Sequence, residues 1–341
     1  MKFLLLLLIF ASITTVFSVS SQPVEDKFDR FDAIYQAQLG TTRGCQTPDA
    51  NMFKVCSDSL KNDGNAPYIL HHNKVTEKVV VLFHGLSDSP FYLRSIAQSI
   101  HQQGINVIVA LMPGHGKNHA DEDMQDDKLA DRWRAHVSDL VEYAASLGEQ
   151  RYLGGFSTGG VLATEYILQH PEAAKGLVLF SGALALDSSV ESIANIWGIQ
   201  WLAKLLDGEY ATQGPNPYKY PSVGRFSAFK LTEVIFSVRD LIEQGVTLNL
   251  PIFSAHSMAD ITTPIIGVKD LMAANKGPNS LFEISLDVDV CHADVVINQE
   301  QLSDMHYDAS LLEDILPCEV PKVNPKHADM LDFLSQFLTT Y

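Results

Sequence analysis

The sequence is short of cysteine, of basic residues and, beyond its start, of long apolar runs. It has only 4 cysteines in 341 residues. None of them forms a CxxC or a close Cys/His spacing, which argues against a structural zinc site or another metal centre. Lysine and arginine number 24 against 41 aspartates and glutamates, a net charge of -17. No stretch clusters the cations that a phosphate-binding face needs, so nucleic acid is not an expected partner. The same acidity disfavours tight binding to anionic membranes and leaves at most transient lipid-surface contact. Past residue 20 no stretch is long and apolar enough to span a bilayer. No internal repeat or low-complexity tract is present. What remains is an ordinary globular composition, 46% hydrophobic and 9% aromatic, sized for one large α/β domain or two small ones.

The chain begins MKFLLLLLIFASITTVFSVSSQ, a lone Lys2 followed by an apolar run and then small residues. This reads as a secretory signal peptide over 1–20, cut near Ser20. An uncleaved anchor is the alternative, but Ser12, Thr14 and Thr15 dilute the run. The expected destination is the periplasm or the medium. An even number of cysteines in an exported chain points to disulfides. Of three possible connectivities, Cys45–Cys56 with Cys291–Cys318 closes the shortest loops; free buried thiols are the alternative.

Residues 21–66 read as a polar, irregular N-terminal extension. From there, over 67–341, strands and helices alternate. EKVVVLFHG (77–85) is an almost continuous β-branched apolar run, as a strand buried on both faces requires. PFYLRSIAQSIHQQG (90–104) has helical spacing, INVIVALM (105–112) is a second buried strand, and DRWRAHVSDLVEYAASLG (131–148) is an amphipathic helix. Further strands are expected at 151–157, 175–184, 249–257 and 279–286, with helices over 159–170 and 327–338. This alternation predicts an α/β fold, a mostly parallel sheet with helices on both faces. Residues 186–248 break the rhythm and read as a cap insertion over one end of the sheet.

One stretch carries chemistry. GFSTG (155–159) matches G-x-S-x-G between a strand and a helix, the setting in which that pattern holds a serine on a sharp turn. Ser157 would stand at the carboxyl end of the sheet, with Gly155 and Gly159 leaving room for neighbouring backbone. The bland alternative is a serine capping a helix. A serine nucleophile needs a base, and the base needs an orienting carboxylate, each just past a later strand. Asp260, in PIFSAHSMADITTP (251–264), is the acid candidate; a plain helix cap is its alternative. His256 precedes it and reads as structural. Two histidines compete for the base. His292 directly follows the last strand, in LDVDVCHADVVI, and is preferred over His327, which heads the final helix; His306 is a weaker candidate. Oxyanion donors are expected from the amide of Thr158 and from that of Leu86, in the loop HGLSDSP (84–90). His84 and His115 read as loop-stabilising residues.

These stretches, LFHGLSDSP, LMPGHG, LGGFSTGG, SMAD and CHADVV in that order, make the chain resemble the α/β-hydrolase superfamily. The likeness spans roughly residues 75–341 and is greatest to serine esterases similar to monoacylglycerol lipases and lysophospholipases. It implies the α/β-hydrolase fold and cofactor-free hydrolysis of a small-molecule or lipid carboxylic ester. It assigns Ser157 as nucleophile, Asp260 as orienting acid, His292 as base, and Leu86 and Thr158 as oxyanion donors. The run SIANIWGIQWLAKLL (192–206) places apolar residues at helical spacing and would line an acyl pocket or rest on the body. A peptidase or amidase on the same fold, with an acidic cap residue holding a substrate amine, and a non-catalytic binding protein are the rival readings.

Overall fold

The computed structural model describes residues 24–47, 49–186, 203–204, 206–312 and 316–341. The expected signal peptide lies outside these residues, as does all of the 192–206 run except 203, 204 and 206. The core is a nine-stranded sheet in the order β1-β2-β3-β5-β4-β6-β7-β8-β9. The strands are β1 (Arg43–Gly44), β2 (Met52–Cys56), β3 (Tyr68–Leu70), β4 (Thr76–Phe83), β5 (Asn106–Ala110), β6 (Gly148–Phe156), β7 (Gly176–Phe180), β8 (Ile252–Ser257) and β9 (Asn279–Ile284). Strands β4 to β9 pair in parallel, whereas β1, β2 and β3 join antiparallel at one edge.

The central parallel strands are apolar and buried over successive positions, as in Val79–Phe83 of β4 and Leu177–Phe180 of β7, because each face meets its own core. Along β4, Val79, Val81 and Phe83 enter one core and Val80 and Leu82 the other. The same alternation holds in β7, where Leu177 and Leu179 face one side and Val178 and Phe180 the other. Helices α1 (Val24–Leu39), α4 (Leu129–Ala144), α5 (Thr158–Gln169), α6 (Arg225–Glu243) and α7 (Ile266–Ala274) cover the first face. Helices α2 (Arg94–His101) and α9 (His327–Thr340) cover the second. Between these fall the short α3 (Asp121–Met124) and α8 (Gln299–Met305). Among the described residues no helix is long and apolar enough to cross a membrane.

Residues 21–66 differ from the irregular extension expected of them. Helix α1 buries Phe31, Tyr35 and Leu39 in the first core, and β2 pairs with β3, so this segment is part of the sheet. Phe28 and Ile34 pack against the same core, and the interleaved Asp29, Asp32, Gln36 and Gln38 mask the stripe. Disulfides join Cys45 to Cys56, across the β1–β2 hairpin, and Cys291 to Cys318, the pairing that loop length favours.

Three of the core histidines set a pH limit on this fold. Burial pulls His115, His136 and His327 each down to about 4. In the unfolded chain an imidazole titrates at about 6.5. Between about pH 6.5 and 4 the unfolded chain therefore binds more protons, and stability falls as pH falls. The expected result is a melting temperature several degrees lower at pH 5 than at pH 7. Equal melting temperatures in a fluorescence melt at the two pH values would contradict it.

Candidate active site

Strand β6 ends at Phe156, flanked by β4 and β7, and α5 begins at Thr158. Ser157 is the single residue between them, with φ 51° and ψ -115°. That left-handed φ is costly for a side-chain-bearing residue, by about 1–3 kcal/mol. Four backbone hydrogen bonds hold it, one of them the ordinary helical bond from the Val161 amide to its carbonyl at 3.3 Å. The Ser157 amide donates to Phe180 O at 3.1 Å, and its carbonyl accepts from Ala183 at 3.0 Å and Gly160 at 3.0 Å. Both flanking glycines serve one contact. A Cβ on Gly155 or on Gly159 would overlap the carbonyl oxygen of Phe83, the last residue of β4. A Cβ on Gly154 would overlap the Val178 carbonyl on the neighbouring strand. The helix-cap reading of Ser157 fails, because its side chain makes no bond to the helix amides.

The serine Oγ instead lies 2.9 Å from His292 Nε2. His292 Nδ1 lies 2.6 Å from Asp260 Oδ2. With a neutral imidazole the hydroxyl donates to Nε2, and Nδ1–H donates to the carboxylate. His292 follows β9 by a short 3-10 turn, and Asp260 follows β8, so both stand at the carboxyl end of the sheet beside the serine. The Phe156 ring lies 4.8 Å from the imidazole. The disulfide at Cys291 anchors the residue directly before His292. His327 lies elsewhere in the fold: its Nε2 pairs with Ser95 of α2 at 3.0 Å. His306 is exposed, at the end of α8.

Asp260 is 4% exposed and fully hydrogen-bonded. Oδ1 accepts from the amides of Thr262 and Thr263 at 3.0 and 2.9 Å. Oδ2 accepts from the Thr263 hydroxyl at 3.0 Å besides the imidazole. Burial alone would raise this carboxyl, but the His292 ring against it and the further hydrogen bonds bring it below its ordinary value. It therefore stays ionised at neutral pH. Thr263, which sequence reasoning missed, also reaches His292 Nδ1 at 3.1 Å. Its signal was the DITT stretch, in which an aspartate accepts from amides two and three residues ahead. His256, fully buried, donates from Nε2 to the Thr263 carbonyl at 2.7 Å and lies 3.5 Å from Asp260 Oδ2. It holds the acid's loop from behind.

The two expected oxyanion donors lie on the turn after β6 and on the loop after β4. Thr158 opens α5, where amides lack intrahelical acceptors. Leu86 lies in the loop after β4, and a Cβ on its neighbour Gly85 would come within 2.9 Å of the Phe156 ring. Neither amide has an acceptor in the backbone hydrogen bonds among the described residues. His84 is fully buried; its Nδ1–H donates to Gly85 O at 2.8 Å and its Nε2 accepts from Met112 N at 3.0 Å. It thus ties this loop to the PGHG loop, where His115 Nδ1 lies 3.1 Å from Pro113 O. Among the described residues no group of three or more His, Cys, Asp or Glu is arranged to hold a metal ion.

The family profile described as serine aminopeptidase, S33, matches residues 74–278. A thermostable monoacylglycerol lipase from Bacillus sp. (strain H-257) is 29% identical over 105 residues, covering 31% of this chain. That match spans 40% of the lipase. Among solved structures, the monoacylglycerol lipase of Paleococcus ferrophilus superposes with a TM-score of 0.55 at 16% identity, covering 78% of this chain and 96% of that one. A structure from a study of LipS and LipT, two metagenome-derived lipolytic enzymes, superposes with a TM-score of 0.54 at 18% identity, covering 70% and 94%.

Proposed function

Because the chain has the α/β-hydrolase fold and belongs to the serine aminopeptidase S33 family, we propose that it is a serine hydrolase that cleaves carboxylic esters. The observation that carries this reading is the unbroken hydrogen-bond chain Ser157–His292–Asp260 on a strained strand-to-helix corner. In the first step Ser157 Oγ attacks the ester carbonyl while His292 Nε2 takes its proton. Asp260, kept ionised, holds the ring in the tautomer with its proton on Nδ1 and stabilises the imidazolium. The amides of Leu86 and Thr158 donate to the oxyanion. His292 then protonates the leaving alcohol, and an acyl group remains on Ser157. Water, activated by the same ring, attacks the acyl-enzyme and releases the acid.

The lipase names of the sequence and structural relatives support an ester substrate of lipid character. The acid's loop adds exposed apolar side chains suited to brief contact with a lipid surface: Met258 at 44%, Ile261 at 80% and Ile266 at 54%. The expected cap narrows to the part of the 186–248 insertion before α6, because α6 packs into the first core; the apolar run at 192–206 would line an acyl pocket there. Two disulfides and the apolar leader over 1–20 support export to the periplasm or the medium. The family's own description, naming an aminopeptidase, favours amide hydrolysis as the second reading.

One experiment separates them: turnover of p-nitrophenyl esters against aminoacyl anilides by purified protein. Esters are expected to turn over at least ~100-fold faster, with decanoate ahead of acetate. Faster anilide cleavage would replace the esterase with the peptidase; equal rates on acetate and decanoate would remove the lipophilic acyl pocket.

A further inference from the structure

The stem of the insertion, residues 215–221, is held against the body from several sides. Lys61 Nζ donates to the carbonyls of Asn216 and Lys219, at 3.5 and 3.2 Å. The side-chain amides of Asn62 and Asn65 donate to the Pro217 carbonyl at 2.9 and 3.1 Å. The amide of Asp308 donates to Pro215 O at 2.9 Å. Tyr218 stacks on Phe91 with ring centres 3.8 Å apart.

From this fixed stem two contacts reach the loop after β4. The Tyr220 amide donates to Ser87 O at 2.8 Å. The Lys219 ammonium lies 2.9 Å from Asp88 Oδ1. Asp88 is 2% exposed, and its own amide closes a turn onto Gly85 O at 3.2 Å. Within that turn sit Leu86 and Ser87, the latter at φ 68°. Asp88 Oδ2 occupies the space that a Cβ on Gly85 would need. The carboxylate thus props the turn from inside, and Lys219 is the cation beside it. A buried carboxylate that loses its cation is strongly destabilised where it stands. The turn would then relax, and the Leu86 amide would move with it.

We infer that Lys219, borne by the insertion, is a positioning residue for the oxyanion donor: through Asp88 it sets the place of the Leu86 amide. This rests on the reading of Leu86 as that donor. The insertion therefore takes part in transition-state stabilisation. A shift of the order of an ångström in a catalytic group costs up to about 100-fold in rate.

The test compares Lys219→Met, Lys219→Arg, Asp88→Asn and, as a control, Lys204→Met. Lys204 also belongs to the insertion and pairs with the body, at 3.2 Å from Asp127, but away from this loop. On p-nitrophenyl butyrate, Lys219→Met and Asp88→Asn are expected to lower kcat about tenfold or more with KM within twofold. Affinity for an alkyl boronic acid, whose tetrahedral adduct places an oxygen at the oxyanion position, should fall by a similar factor. Lys219→Arg should recover most of both, and Lys204→Met should match wild type. A folded Lys219→Met protein with wild-type kcat and boronate affinity overturns the positioning role. So does an equal loss in Lys204→Met. Should Lys219→Met not fold, the same readings on Asp88→Asn decide. A wild-type protein that turns over no ester overturns the proposed function, and this role with it.

Discussion

Ser157→Ala is expected to lower kcat/KM for p-nitrophenyl esters by about 10⁴–10⁶-fold, and to abolish labelling by a fluorophosphonate probe. The loss follows from the hydroxyl alone. Alanine keeps a Cβ at the same left-handed φ of 51°, so it inherits the backbone strain without adding to it. Nor is a helix cap lost, since the Ser157 side chain makes none. The variant should therefore melt within a few degrees of wild type, and an inactive protein of unchanged stability is the signature of a removed nucleophile. Ser157→Gly would sharpen the point. Glycine accepts φ near 51° at no steric cost, so that variant should be equally inactive and no less stable. A Ser157→Ala protein that retained a tenth of its activity and still took up the probe would remove the nucleophile assignment.

The second large effect belongs to His292. His292→Ala is expected to lower kcat by about 10⁴-fold or more, because in the proposed mechanism the imidazole serves twice, as base in acylation and as acid toward the leaving alcohol. His327→Ala makes the instructive contrast. That ring is 5% exposed and bonded to Ser95. Its loss should cost about 1–3 kcal/mol of stability through the cavity and the unpaired hydroxyl, and leave kcat within a few fold. Kinetics and melting on the two variants would check both. If His327→Ala were the inactive one, the hydrogen-bond chain from Ser157 would have no bearing on the chemistry.

Much of the frame was legible because its signals are local. The β4 run is apolar at successive positions since both faces are buried, and a reader needs no partner strand to see it. The corner at Ser157 declares itself through Gly155 and Gly159, because only glycine fits against the Phe83 carbonyl. Asp260 and His292 stood out as polar residues just past strands. The rest depended on contacts distant in sequence. Thr263 and His256 are the exception: both lie within four residues of Asp260, and their bearing on it was hidden because only the folded loop turns them onto its carboxylate. Lys219 and Asp88 are 131 positions apart, and nothing near either announces the other. Helix α1 was hidden for another reason: its apolar stripe, Phe28, Phe31, Ile34, Tyr35 and Leu39, is interleaved with charged and amide residues and is weak unless the core it enters is known.

The two glycines of the corner meet one and the same atom, the Phe83 oxygen. Strand β4 is thus the datum from which the serine's height is measured, and its continuation carries the Leu86 turn. Any side chain grafted at 155 or 159 would lift Ser157 off that datum and widen its gap to the turn in one movement. A randomised library at these two positions, screened for turnover, should return glycine at both, and stabilising substitutions must be sought where no strand serves as the ruler.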